Sequence, residues 1–224
     1  MINPDGVCKG HYRKNVLNQN LNRFYLQPDP VKQPEVYGIK KLMEYYGERI
    51  KFYMDFHAHS GNKGHFVYGN ACDDILEQIE ANLYSKIVGL NCPNFEYEYC
   101  CFSKKQMKTR DKYEDMTKEG AGRVVAYTQF KIIQSYTFEL GFHQANYVQN
   151  LQLIQNQNLK VSNYQCTQEN IEESAKNEPY FFTPECFYIC GKALVCSILD
   201  YYDKNPYSRI QSTEYKDIKG LRKD

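Results

Sequence analysis

In residues 51–70, KFYMDFHAHSGNKGHFVYGN, a strand-like alternation runs straight into a cluster of metal-competent side chains. Between Phe52 and His57 an alternation of period two puts Phe52, Met54 and Phe56 on one face and Tyr53, Asp55 and His57 on the other. A core-facing strand would therefore deliver a carboxylate and an imidazole to the same side. The chain then breaks at Ser60-Gly61-Asn62-Lys63-Gly64, a turn composition, and resumes an apolar run from His65 to Gly69. His57 and His59 would stand at the strand's C-terminal end, where open α/β sheets place ligands. An isolated imidazole there is more often a hydrogen-bonded structural residue than a metal ligand, so both uses stay open.

A second informative residue is Glu139. It lies in residues 135–142, SYTFELGF, a run rich in β-branched and aromatic side chains. A carboxylate in such a strand is costly unless it is paired, metal-bound or functional. Alternation sets Thr137 and Glu139 on one face and Tyr136, Phe138 and Leu140 on the other, which also suits an edge strand with a solvent-facing side. Arg13, Asn22 and Arg23 lie in residues 11–27, a polar, Asn-rich stretch without periodicity, and their side chains are able to grip carboxylate oxygens. Surface polarity is the commoner use of such arginines.

The elements that must position these groups are legible in outline. Pro34 opens a helix through Tyr46 with Val36, Ile39, Leu42 and Met43 inward. Asp73 and Asp74 cap a second, with Ile75, Ile79, Leu83 and Ile87 as its stripe and Lys86 in its last turn. Residues 124–127, VVAY, read as a strand. Thr183-Pro184-Glu185 starts a last helix, its stripe Phe187, Cys190, Leu194, Ile198 and Tyr201, laid on a sheet and stopped by Asn205-Pro206. Asn3-Pro4-Asp5-Gly6 is a turn, with Met1-Ile2 as the end of a strand. The basic run Lys104, Lys105, Lys108, Arg110 and Lys112 reads as a solvated loop able to meet an acidic partner. Residues 146–180, rich in Asn and Gln, read as a flexible insertion, and residues 211–224 as an exposed basic tail.

Composition narrows the function classes. At 224 residues with 42% apolar side chains the chain supports one ordinary domain. Lys+Arg 28 against Asp+Glu 27 leaves a net charge of +1, so no global field draws it to nucleic acid or an anionic membrane. No apolar run is long enough for a membrane span and no secretory signal opens the chain, which points to a soluble intracellular protein. Nine cysteines, without paired C-x-x-C motifs, are expected as buried apolar side chains, Cys186 and Cys190 included. Lys118-Glu119-Gly120-Ala121-Gly122-Arg123 lacks phosphate-loop spacing.

In order, Asn3-Pro4-Asp5-Gly6-Val7, Gly10-His11-Tyr12-Arg13, Asn20-Leu21-Asn22-Arg23, Asp55-Phe56-His57-Ala58-His59-Ser60, residues 118–125 and Ser135-Tyr136-Thr137-Phe138-Glu139 resemble the zinc carboxypeptidase superfamily. Within it they are most similar to the cytosolic carboxypeptidases that trim glutamates from tubulin. The resemblance runs over residues 1–142 and returns at 184–210. It implies an α/β fold, a three-layer α/β/α sandwich around a mixed sheet, with residues 1–210 as the C-terminal portion of a catalytic domain. It implies zinc as cofactor, His57 as a zinc ligand, and Glu139 as the base that takes a proton from metal-bound water. By the same resemblance Arg13 stabilises the oxyanion, Asn22 and Arg23 hold the substrate's terminal carboxylate, and Arg123 meets its side-chain carboxylate. Asp55, on the face it shares with His57, could equally orient that imidazole or serve in packing.

Those types fit peptide hydrolysis at neutral pH, which needs an activated water, a base and a fixed cation at the oxyanion. The implied partners are acidic, polyglutamylated tails such as those of tubulin, in the cytoplasm, at microtubules or cilia. The family's first two zinc ligands come from a His-x-x-Glu motif ahead of the Asn-Pro-Asp-Gly turn. None of the five histidines here, His11, His57, His59, His65 and His143, begins such a motif. A shortened catalytic domain is therefore expected, and a non-catalytic binder of acidic tails, using Arg13, Arg23, Arg123 and the basic run, stands beside it.

Overall fold

In the computed structural model, which describes residues 1–111, 116–152 and 180–223, the chain divides into two compact units. The first comprises Met1–Asp55, Gly69–Asp73 and Cys101–Thr137, and the second Phe56–Tyr68, Asp74–Cys100 and Phe138–Asp224. The division falls inside two strands, β1 (Phe52–His59) and β3 (Gln134–Gly141).

The first unit is built on α2 (Pro34–Tyr46), which follows a short α1 (Pro4–Cys8). Pro34 at the first helical position costs no hydrogen bond, Glu35 favours the positive helix end, and Gly47 closes the helix at φ 51°. Val36 and Met43, two turns apart, are buried with Leu21, Tyr25, Val125, Ala126 and Ile132, and Ile39 packs at the edge of this core. Leu42 is exposed instead, so the helix turns a narrower face inward than its apolar residues allow. Residues 124–127 form no strand but lie in α5 (Gly122–Phe130). A short apolar run does not distinguish helix from buried strand, and the deciding contact is distant: the Gly122 N–H, an unsatisfied donor of the first helical turn, is accepted by Asn22 Oδ1 at 2.8 Å.

Asn3 likewise caps α1, its Oδ1 accepting from Gly6 N–H at 3.2 Å, so the Pro4–Cys8 segment is helical and Met1-Ile2 is not in a strand. The basic run contains a helix too, α4 (Lys104–Lys108), capped by Ser103. Lys104 pairs with Asp73 at 2.5 Å, while Lys112 lies outside the described residues.

In the second unit, the sheet order is β1-β3-β2, with β2 at Phe66–Tyr68. β3 is thus central and β1 lies at an edge, the reverse of what the apolar face of β1 and the carboxylate in β3 imply. Phe56 is accordingly 60% exposed and Phe138 0%. Two two-residue strands, β4 (Gln144–Ala145) and β5 (Tyr180–Phe181), pair antiparallel. The flexible insertion expected at 146–180 falls mostly on residues 153–179, outside the described residues.

α3 (Ile75–Asn91) is capped by Asp74, whose carboxylate accepts from the N–H groups of Leu76 and Glu77. It packs against α6 (Pro184–Tyr201): Tyr84 Oη donates to Leu194 O at 3.0 Å, and Asn91 Nδ2 donates to Ser197 Oγ at 3.1 Å and Asp200 Oδ2 at 2.7 Å. The buried stripe of α6 is Cys186, Cys190, Ala193, Leu194, Ser197 and Asp200, rotated from the expected one because polar Ser197 and Asp200 are satisfied by Asn91. The tail is packed rather than exposed. Ile218 and Leu221 of α7 (Ile218–Leu221) join Leu83, Ile87 and Ile210 in a core, and Arg222 Nε donates to Glu80 Oε1 at 2.8 Å.

The expected stripe of α3 joins residues that the structure separates: Ile87 is 0% exposed and Ile75 69%. Denaturant unfolding is expected to show Ile87→Ala losing about 2–5 kcal/mol and Ile75→Ala losing less than about 0.5 kcal/mol. Equal losses would contradict this packing of α3.

Candidate active site

In the first unit, two of the groups expected to grip carboxylates, Arg13 and Arg23, converge on an acid the chain itself supplies. Asp111 Oδ2 accepts from Arg13 Nη2, Arg23 Nη2 and Asn20 Nδ2, each at 3.1 Å. The Asp111 and Arg23 side chains are each 7% exposed, whereas Arg13 is 44% exposed. Charge-assisted bonds from two guanidiniums to one oxygen are the stronger kind of hydrogen bond, and burial of Arg23 removes competing water. Asp111 carried no signal in the sequence: it lies within a basic run and becomes meaningful only when residues 13, 20 and 23 are brought to it.

Arg23 and Asn22 are positioned by a 3-10 turn, Leu21–Arg23, anchored by buried Leu21. The turn is pressed against Gly120, where a Cβ would fall 2.1 Å from the Arg23 carbonyl oxygen. The Tyr25 N–H donates to Gly120 O at 3.1 Å on the other side of the same contact. Glycine at 120 is thus a packing requirement, not the phosphate-type loop its neighbours superficially resemble.

Asn22 is committed at both ends: Nδ2 donates to Asp55 Oδ2 at 2.9 Å, and Oδ1 accepts from Gly122 N–H. Asp55, for which orienting an imidazole and packing were both open, thereby has Asn22 as a partner. Beside this group Tyr25 and Tyr53 meet edge to face, and burial pushes the Tyr25 phenol up to about 12. Both rings stay protonated at neutral pH.

Arg123 departs from the expectation that it meets a substrate. It is 2% exposed, and its Nη1 donates to Gly69 O at 2.5 Å and Asn70 Oδ1 at 3.0 Å. Asn70 Nδ2 in turn donates to Ser135 Oγ at 2.8 Å and to the Arg123 carbonyl at 3.1 Å. The guanidinium is spent on a buried network of main chain and amide, a structural use of an arginine that nothing in its sequence neighbourhood separates from a binding one.

In the second unit the sheet sets the relation of His57 to Glu139. The Phe56 and Phe138 rings are 6.0 Å apart, and Phe142 N–H donates to His59 O at 3.0 Å. Contacts that advance together along both strands mean that β1 and β3 run in the same direction. Residue 57 then stands beside residue 139, on the face opposite the two rings, across a strand spacing of about 4.8 Å. Both are half-buried.

His59 does something else. Its Nδ1 accepts from Asn62 N–H at 3.3 Å and its Nε2 lies 3.1 Å from Gly64 O, so Nε2 carries the proton and the ring closes the turn after β1. Burial lowers its pKa.

The histidine that the sequence did not single out is the most enclosed. His65, 0% exposed, accepts from Gly141 N–H through Nδ1 at 3.1 Å and stacks 4.6 Å from the Phe182 ring. Burial, and secondarily the nearby His59, push its pKa down to about 4.

Zinc fits this set poorly. Among the described residues no group of three or more His, Cys, Asp or Glu side chains is arranged to hold a metal ion, and catalytic zinc takes three protein ligands.

With this geometry in place, comparison with known proteins finds similarity to carboxypeptidases. No family model matches it. It is 27% identical over 310 aligned residues to "Cytosolic carboxypeptidase-like protein 5" of Rattus norvegicus, covering 99% of this chain and 36% of that protein. It is 28% identical to "Cytosolic carboxypeptidase 6" of Homo sapiens, covering 92% of this chain and 35% of that protein. The chain thus spans about a third of the length of these curated relatives.

Among solved structures, a metallo-carboxypeptidase from Burkholderia cenocepacia matches 90% of this chain and 43% of its own, at TM-score 0.62 and 20% identity. A metallo-carboxypeptidase from Pseudomonas aeruginosa in complex with (2-guanidinoethylmercapto)succinic acid matches 91% of this chain and 44% of its own, at TM-score 0.62 and 14% identity. The fold is the mixed α/β fold of metallo-carboxypeptidases.

The enclosure of His65 makes stability pH-dependent. The unfolded chain protonates His65 below about pH 6.5, while the folded one resists protonation down to about 4. Its contribution is therefore full above pH 6.5 and lost as the pH falls towards 4, about 3 kcal/mol in all. Urea midpoints taken between pH 7 and 4 are expected to fall less steeply for His65→Gln than for the natural chain. Parallel curves would rule out a neutral, buried His65.

Proposed function

We propose that this chain, a relative of the cytosolic carboxypeptidases by sequence and of the metallo-carboxypeptidases by fold, forms part of a peptidase of the tubulin deglutamylase type. Its contribution is recognition of carboxylates on an acidic, glutamate-rich tail. What carries the proposal is the convergence of Arg13 and Arg23 on one carboxylate oxygen in the first unit, at 3.1 Å each. Groups that bind one carboxylate in this way supply the charge and directional donors that another needs.

Within that function Arg13, half-exposed, takes the part of the cation that meets the scissile carbonyl, and Asn22 and Arg23 hold the terminal carboxylate. Arg123, buried, holds Gly69 and Asn70 rather than touching the tail. His57 and Glu139, side by side on β1 and β3, supply an imidazole and a carboxylate suited to metal ligation and proton transfer. Zinc in the family activates the attacking water. The ligands found among the described residues do not complete such a site, so no hydrolytic step is assigned to a metal held by this chain alone.

That same shortage favours a second function: binding of acidic tails without hydrolysis. No described helix is long and apolar enough to cross a membrane, and a cytoplasmic place beside microtubules or cilia would suit either function.

A glutamate-release assay on a polyglutamylated peptide, with zinc supplied, separates the two. Under the peptidase reading Glu139→Gln lowers release by at least about 100-fold while the peptide's Kd stays within about twofold, and Arg13→Met weakens both. Undiminished release by Glu139→Gln would remove that residue from the mechanism. Tight binding with no release by the natural chain would leave only the binding function.

A further inference from the structure

We propose that Asp111 is a built-in competitor for the ligand's carboxylate, a residue that weakens the hold of the arginine pair on an acidic tail. The inference rests on the proposed role of Arg13 and Arg23 in binding a carboxylate, and it concerns what those arginines hold beforehand. Asp111 Oδ2 already receives one N–H from each guanidinium and a third from Asn20 Nδ2. Its position is fixed by its main chain: the Asp111 N–H donates to Met116 O at 2.8 Å, Arg110 and Thr117 form an antiparallel bridge, and the Lys118 N–H donates to Thr109 O at 3.0 Å. The acid is presented to the arginines by a paired segment and is not a mobile side chain that has wandered onto them.

Two guanidiniums and one carboxylate leave a single positive charge. An incoming carboxylate must either take Nη2 donors from Asp111 or share them against its negative charge, and both options weaken binding. The repulsion by Asp111 grows with the number of negative charges a ligand brings, so a run of glutamates meets more of it than a lone C-terminal carboxylate. Partial exposure of Arg13, against 7% for Arg23 and Asp111, provides the side from which exchange begins.

The test measures affinity by calorimetry for tetraglutamate and for a Gly-Ser tetrapeptide with a free C-terminus. Asp111→Asn, which keeps a neutral acceptor in place, is expected to bind both at least tenfold more tightly, with the larger gain for tetraglutamate. Glu44→Gln makes the same change of net charge on the exposed side of α2, where Glu44 pairs with Lys41, and is expected to leave both affinities within about twofold. Asp111→Ser, which removes the acid with less bulk, serves if the amide variant does not fold. Unchanged or weaker binding by a folded Asp111 variant, or failure of both variants to fold, overturns the inference and makes Asp111 a scaffold. If the natural chain and the folded variants all fail to bind tetraglutamate, the carboxylate-binding role of Arg13 and Arg23 fails as well.

Discussion

A buried guanidinium cannot be held beside a second one unless an anion lies between them. That constraint organises the first unit. Asp111 supplies the anion, and three donors on its Oδ2 fix where residues 13, 20 and 23 come to rest. The remaining contacts of the Leu21–Arg23 turn follow from it. Gly120 presses on the Arg23 carbonyl, Asn22 spans from Asp55 to the first N–H of α5, and the apolar side chains of Leu21 and Tyr25 are driven into the core with Val36 and Met43. A turn of three residues thereby ties a helix end, a strand and an acid from a distant segment into one polar network. Such a network is costly to break in part, because each member left unpaired retains its desolvation penalty.

A different device positions the second unit's pair. His57 and Glu139 owe their adjacency to strand registration, fixed on the opposite face by the aromatic contact of Phe56 with Phe138 and further along by the Phe142 N–H on His59 O. A slip of one residue would carry Glu139 to the aromatic face. Phe138 at 0% exposure resists that slip, because moving it would exchange a buried ring for a carboxylate. The apolar residues of β3 are thus what hold its one acid in place.

Local signals were legible where a local cause decides the structure. Pro34 and Gly47 bound α2 because a proline start and a positive-φ glycine act within one turn, and Asp74 caps α3 for the same reason. Signals failed where the cause was distant. Residues 124–127 are helical because Asn22, a hundred residues away, accepts the Gly122 N–H. The stripe of α6 is turned towards Ser197 and Asp200 because Asn91 satisfies them. The tail is packed because Ile218 and Leu221 find Leu83 and Ile87. At the site, motif order named Arg13, Asn22, Arg23, Arg123, His57 and Glu139 as candidates. Asp111 and His65 were missed, since their importance lies wholly in what surrounds them.

The three arginines show how far residue type alone can mislead. By type each is a cation suited to a carboxylate, yet they differ in solvation: the Arg13 side chain is 44% exposed, that of Arg23 7%, and Arg123 as a whole 2%. Arg123 gives its donors to Gly69 and Asn70, and the Asn70 amide in turn reaches Ser135 of β3. Arg23 is buried enough for its bond to Asp111 to be strong and is held by a rigid turn, so it contributes position. Arg13 retains contact with water and is the guanidinium able to change partners at least cost, since water replaces a lost donor contact there but not at Arg23. Carboxylate exchange in the first unit therefore has a direction: it begins at the wet arginine, while the dry one keeps its geometry.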